Sequence, residues 1–240
     1  MNYKDHIFCA IDFTEIEESK KFISKISNHI GGIKIGLEFF SKNGPQGVQE
    51  IKKMGLPIFL DMKLKDIPNT VKKSAKNLIK LKPEYLSVHL SGGYAMLKQI
   101  ISIKETTKIL GVSMLTSLDN KDLKSFGYNL SSLKYVENLA KIGEKAGVDG
   151  LVSSAHEVAY LKEKLKNRKL LYVTPGIRLP QNSLNDQKRV VSPGEAIRSG
   201  SSILIIGRSI TQSDDPIDSI NKIVKEIEVN FESKNQVMRT

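Results

Sequence analysis

Eight short runs of Ile, Leu and Val punctuate the chain, at residues 7–12, 33–36, 57–61, 85–89, 109–115, 150–153, 170–174 and 203–207. Near-continuous apolar runs of this length suit strands covered on both faces, as in a parallel sheet. Between them the apolar positions recur at helical spacing. Ile16, Phe22, Ile23 and Ile26 mark one helix face after the first run, and Val71, Ala75, Leu78 and Ile79 mark another after the third. Strand and helix alternating eight times predict an α/β chain folded as a (β/α)8 TIM barrel. A single catalytic domain is expected over 1–230, followed by a polar, frayed tail at 231–240. The longest interval, 116–148, leaves room for extra helix. A doubly wound sheet would normally place a glycine-rich loop after its first strand, and Asp12-Phe13-Thr14-Glu15 holds no glycine.

Length and composition narrow the classes further. At 240 residues one barrel is accommodated and two full domains are not expected. A hydrophobic share of 40% beside 26% charged residues excludes disorder as the main state. The net charge of +11 invites a nucleic-acid reading, because neutralised phosphates release counterions. Yet 31 of the 37 cations are lysines, spread through the amphipathic segments as on a solvated surface. With no Trp, no zinc-finger spacing and no aromatic platform, no nucleic-acid partner is expected. Cys9 stands alone, so neither a disulfide framework nor a thiolate cage is available. No apolar run approaches the ~20 residues of a membrane span, and the opening MNYKDHIFCAIDF lacks the pattern of a secretory signal. A soluble cytoplasmic chain with no membrane contact is the expectation.

Candidate chemistry lies where the runs end. In a barrel the catalytic groups gather at the carboxyl ends of the strands. Here those positions carry Asp12, Lys34, Asp61 with Lys63, His89, Thr116, Ser153, Thr174 and Arg208. Lys34 falls inside an apolar strand, where an ammonium must snorkel out or be paired. Asp61 and Lys63 are two apart, so continued extended geometry would put both on the inner face. Asp66 follows at the next helix start. Each has a plainer reading: Asp61 and Lys63 as a simple salt bridge, Asp66 as a helix N-cap ahead of Pro68. Four opposite charges placed to interleave in one pocket can instead keep one another ionised despite burial.

Several motifs then occur in one order along the chain. They are Asp12, Lys34, the Asp61-x-Lys63-x-x-Asp66-Ile67-Pro68-Asn69-Thr70 segment, Ser87-Val88-His89 with Ser91-Gly92-Gly93, and Leu115-Thr116-Ser117. Thr174-Pro175-Gly176-Ile177-Arg178, Asp186-Gln187 and Ile206-Gly207-Arg208 follow. Together these resemble the orotidine 5′-phosphate decarboxylase family, which makes UMP from orotidine 5′-monophosphate (OMP). The aspartate–lysine–aspartate segment alone is shared with decarboxylases and synthases of sugar phosphates. A Mg-dependent enzyme of that kind is therefore the alternative.

The resemblance implies roles. Lys63 would protonate C6 of the pyrimidine as CO2 leaves, within an alternating network of Lys34, Asp61, Lys63 and Asp66. Asp66, Ile67 and Thr70 would be donated across a homodimer interface. Asp12 and Lys34 would contact the ribose and Thr116 the pyrimidine. Gln187, Gly207 and Arg208 would hold the phosphate, with Arg178 opening a polar loop at 179–187 that closes over it. His89 is expected as a hydrogen-bonded structural histidine. No metal or organic cofactor is implied. Met62, Lys65 and Ser209, the last in place of a proline, depart from the family pattern.

Overall fold

The computed structural model describes residues 2–179 and 191–237, with side chains up to Phe231. Its strands are β1 (Ile7–Ile11), β2 (Gly32–Ile35), β3 (Ile58–Leu64), β4 (Tyr85–His89), β5 (Lys108–Val112), β6 (Gly150–Val152), β7 (Leu171–Thr174) and β8 (Ile203–Ile206). Each pairs in parallel with the next, and β8 pairs with β1, so the sheet closes into a barrel. The surrounding helices are α1 (Ile16–Ile26), α2 (Leu37–Lys52), α3 (Pro68–Ile79), α4 (Gly93–Ile101) and α5 (Asn120–Ser125). They continue with α6 (Ser132–Ala146), α7 (Ala155–Lys164), α8 (Pro193–Ser199), the short α9 (Arg208–Thr211) and α10 (Pro216–Val237). The expected (β/α)8 TIM barrel is the fold observed, with α5 and α6 filling the long interval.

Strand alternation divides the core in two. Phe8, Ala10, Phe59, Tyr85, Leu110, Val112, Val152, Val173, Ile203 and Ile205 fill the barrel interior. Residues one position away, such as Ile7, Cys9, Ile33, Leu60 and Leu204, point outward and pack beneath the helices. Phe8 and Phe59 each meet the Tyr85 ring edge-on, at centroid distances of 5.6 and 6.3 Å. Gly32 makes that interior possible: a Cβ there would come within 2.4 Å of the Phe8 ring and 2.8 Å of the Pro57 carbonyl oxygen.

Helix ends follow their local sequence. Asp119 and Asp122 form a reciprocal capping pair at the start of α5, and Ser192 and Glu195 do so at α8, with Pro193 in the first turn. Gly147, at φ 93°, ends α6 in the left-handed conformation. Two boundaries differ from expectation. The last helix runs on to Val237, into the segment expected as a tail, and Phe231 within it stacks against Tyr3 and His6 at 5.6 and 5.3 Å. And β3 continues past Asp61 to Leu64, which matters for the site. No helix among the described residues is long and apolar enough to cross a membrane.

Candidate active site

The carboxyl ends of the strands surround a cavity of about 640 Å³. Its base is the upper edge of the inner core, Ala10, Phe59, Val112, Val152 and Ile205, and its walls carry the chemistry. Asp12, Lys34, Asp61, Lys63, Thr116, Arg178, Gly207 and Arg208 all line it. Residues from β1, β2, β3, β5, β7 and β8 or their following loops therefore converge, as a barrel mouth requires.

Lys34 lies between Ala10 of β1 and Phe59 of β3 in register, so its stem runs through the inner layer. Its ammonium rises to Asp12 Oδ1 at 3.3 Å. The stem is largely covered while Asp12 is half exposed, so the pair offers polar groups at the cavity rim.

The β3 end is more unusual. Between β3 and β4 the ladder passes from Leu60 opposite Leu86 to Leu64 opposite Val88, so β3 bulges over Asp61, Met62 and Lys63. Lys63 has φ 47°, in the left-handed region. Holding a residue with a side chain there costs roughly 1–3 kcal/mol and persists only where the surroundings fix it. Extended geometry thus does not continue from Asp61 to Lys63, contrary to the sequence-based expectation; the bulge turns Lys63 to the cavity instead. Met62 packs outward against the helix layer. Lys63 Nζ donates to Asp61 Oδ2 at 2.7 Å, and Ser87 Oγ donates to Asp61 Oδ1 at 2.7 Å. The Lys63 backbone N–H donates to the same Ser87 Oγ at 2.8 Å. Asp61 is only 8% exposed, so its charge is met by an ammonium and a hydroxyl together.

Arg178 is also buried, its Nη1 donating to the Ile177 carbonyl at 2.9 Å. Its backbone N–H reaches the Val191 carbonyl at 3.0 Å, and Val191 N–H returns to Gly176 at 3.2 Å. Gly207 caps the turn of α9, accepting from the N–H groups of Ile210 and Thr211, and Arg208 begins that turn. Gln187 and nearly all of the 179–187 loop lie outside the described residues.

Three expected site residues are not brought to the cavity within one chain. Asp66, Ile67 and Thr70 are exposed at the start of α3. Asp66 is not the N-cap: that position is Ile67, and the Asp66 carboxylate accepts from the Ile67 N–H at 2.6 Å. His89 lies in a smaller neighbouring cavity beside Lys65, Tyr128 and Tyr135. Burial, Lys65 and Lys63 lower the pKa of its imidazole from the ordinary histidine value. No hydrogen bond holds its side chain among the described residues, unlike the expectation. Thr174 turns to Ser201, hydroxyl to hydroxyl at 2.7 Å, and is structural. Burial pushes the outward-facing Cys9 thiol far up, which removes it from the chemistry.

Two serines carry more than their sequence positions signalled. Ser87 joins Asp61 to Lys63, and Ser153 lines the cavity with a buried hydroxyl that has no partner among the described residues. Charge marked neither. Among the described residues, no three His, Cys, Asp or Glu side chains are grouped so as to hold a metal ion.

Similarity to known proteins covers nearly the whole barrel. The chain is 44% identical over 211 residues to an orotidine 5′-phosphate decarboxylase of Erythrobacter litoralis, covering 88% of this chain and 93% of that one. It is 39% identical over 244 residues to the Dictyoglomus thermophilum protein of the same name, covering 98% and 100%. The crystal structure of orotidine 5′-phosphate decarboxylase from Lactobacillus acidophilus superposes with a TM-score of 0.80 at 34% identity, over 92% of this chain and 98% of that one. A family model spanning residues 5–223 agrees, and the chain belongs to the orotidine 5′-phosphate decarboxylase / HUMPS family.

Proposed function

We propose a route by which this cavity decarboxylates OMP to UMP, the carboxy-lyase step of pyrimidine biosynthesis. The observation that carries the route is the Asp61–Lys63 pair at 2.7 Å, one partner nearly buried and the other turned to the cavity by a strained backbone. When the bond from C6 to the carboxylate breaks, its electron pair stays on C6 in the plane of the ring. The ring π system cannot spread that charge, so a fixed cation must meet it as it develops. The Lys63 ammonium supplies the cation and then the proton. C6–H forms, CO2 departs, and Lys63 regains its proton from water. Asp61 holds Lys63 in place, and its negative charge beside the departing carboxylate favours the transition state over the bound substrate.

Around that centre, Asp12 and Lys34 bind the ribose hydroxyls and Thr116 the pyrimidine. Arg178, Gly207, Arg208 and Gln187 bind the phosphate. A phosphate site beside the seventh and eighth strands recurs in barrels, and the two arginines at that side of the cavity support it. Binding energy gathered there, far from the breaking bond, is expressed at C6.

The second part of the proposal is a homodimer. Asp66, Ile67 and Thr70 belong to the resembling family's site but stand exposed here, and Ile67 leaves 67% of its surface uncovered, a large exposure for an isoleucine. A second copy that covers this edge would complete each cavity with Asp66 from its neighbour.

CO2 release from OMP, assayed with and without EDTA, tests the function. Turnover unaffected by the chelator is expected. Turnover abolished by EDTA and restored by Mg2+ would favour a metal-dependent sugar-phosphate enzyme of the same superfamily.

A further inference from the structure

We propose that Ser87 is a positioning residue for the decarboxylation, fixing both the Asp61 carboxylate and the Lys63 backbone from beneath. This rests on the reading of Lys63 as the proton donor.

Ser87 lies in the middle of β4, fully buried, on the inward side between Tyr85 and His89. Its hydroxyl contacts two groups whose roles leave no choice of direction. A backbone N–H can only donate, so Ser87 Oγ accepts from Lys63 at 2.8 Å. An ionised carboxylate can only accept, so the one hydroxyl proton goes to Asp61 Oδ1 at 2.7 Å. Asp61 Oδ2 then receives the Lys63 ammonium at 2.7 Å. Serine oxygen, carboxylate, ammonium and Lys63 backbone thus form a closed ring.

That ring spans the place where the β3–β4 ladder is interrupted. Lys63 needs its left-handed backbone to reach the cavity, and the Ser87 oxygen takes its N–H across the gap. The same oxygen fixes the plane of the Asp61 carboxylate, and with it the position of the ammonium. One buried hydroxyl therefore orients both partners of the ion pair without lining the cavity itself. A group of this kind should affect the chemical step and leave the grip on nucleotide alone.

Turnover of OMP by the unsubstituted protein is measured first. Its absence would overturn the functional reading and would be seen before any variant is made. For Ser87→Ala, the loss of a hydrogen bond to a charged group predicts a fall in kcat of about 10- to 100-fold, with KM for OMP and the inhibition constant of UMP within about threefold. Ser87→Thr restores the hydroxyl and should recover most of the lost kcat. Ser87→Cys, close in size and a weak donor, should fall between them, and it replaces the alanine protein if that one proves too unstable to purify. The proposal is overturned if the hydroxyl-free protein keeps kcat within about threefold of the parent. It is equally overturned if kcat, UMP affinity and melting temperature decline together with no recovery in Ser87→Thr or Ser87→Cys, since that pattern marks a role in packing alone.

Discussion

In the proposed route Lys63 acts both as a fixed cation and as a proton donor, and its surroundings fit the two demands separately. Asp61 fixes the ammonium and the bulge fixes the backbone, while the side chain keeps 30% of its surface open to the cavity. Lys63→Ala should lower kcat by at least about 1,000-fold, because both a charge stabiliser and a general acid are lost. UMP binding, measured by calorimetry, should stay within about tenfold, since the proposed ribose and phosphate contacts lie elsewhere. A variant with near-parental kcat would show that another group delivers the proton. Charge made Lys34, Asp61 and Lys63 legible in the sequence, because charges inside apolar runs need a reason. Ser87 and Ser153 stood out in the sequence only as a motif member and a polar strand end, because a serine in a strand is compatible with any interior hydrogen bond. Asp66 was legible as part of a motif, but it stands exposed at the start of α3, away from the cavity.

Among the elements, β3 and the helical layer show where pattern reading succeeds and where it fails. Apolar runs located all eight strands within a few residues, since burial on both faces sets composition directly. The bulge was missed because Asp-Met-Lys has the same alternation in extended and bulged backbone. In the helical layer, Glu137 of α6 is almost fully buried yet charged, accepting from Lys134 at 3.0 Å, from Lys141 and from the Tyr160 hydroxyl of α7 at 2.7 Å. Hydrogen bonds from Lys141, Tyr160 and Lys134 lower its carboxyl from the ordinary range down to about 2. A carboxyl lowered on folding stabilises the fold above its unfolded pKa, and that contribution disappears as pH falls through the folded value. Urea unfolding of the parent and of Glu137→Gln should therefore differ most above pH ~4.5, with the gap narrowing toward pH ~2. A gap independent of pH would assign the effect to packing between α6 and α7.

For the whole molecule, the +11 charge says little about the reaction, because the cavity holds a nearly balanced set. Lys34, Lys63, Arg178 and Arg208 face Asp12, Glu38 and Asp61. The remaining excess is spread over the surface and can at most steer an anionic nucleotide inward. Assembly is the more informative property at this scale. In a two-fold dimer with shared sites, mixing Lys63→Ala with Asp66→Asn protein should form hybrids in which one site is intact. Activity should then rise toward about a quarter of the parental value after subunit exchange, from two nearly inactive stocks. No rise, with exchange verified by mass spectrometry, would place Asp66 outside the site.

The aromatic layer inside the barrel has a further consequence. Phe8, Phe59 and Tyr85 pack together in the interior below Asp61, with Phe59 level with the Lys34 backbone and forming part of the cavity base. The charges above them stand on an insulator with an opening on one side. Little of their field is dissipated by water from below, so it falls on whatever occupies the mouth. The apolar interior thus bears on the open end of the barrel as well as on stability, by limiting how far water screens the charges at the mouth.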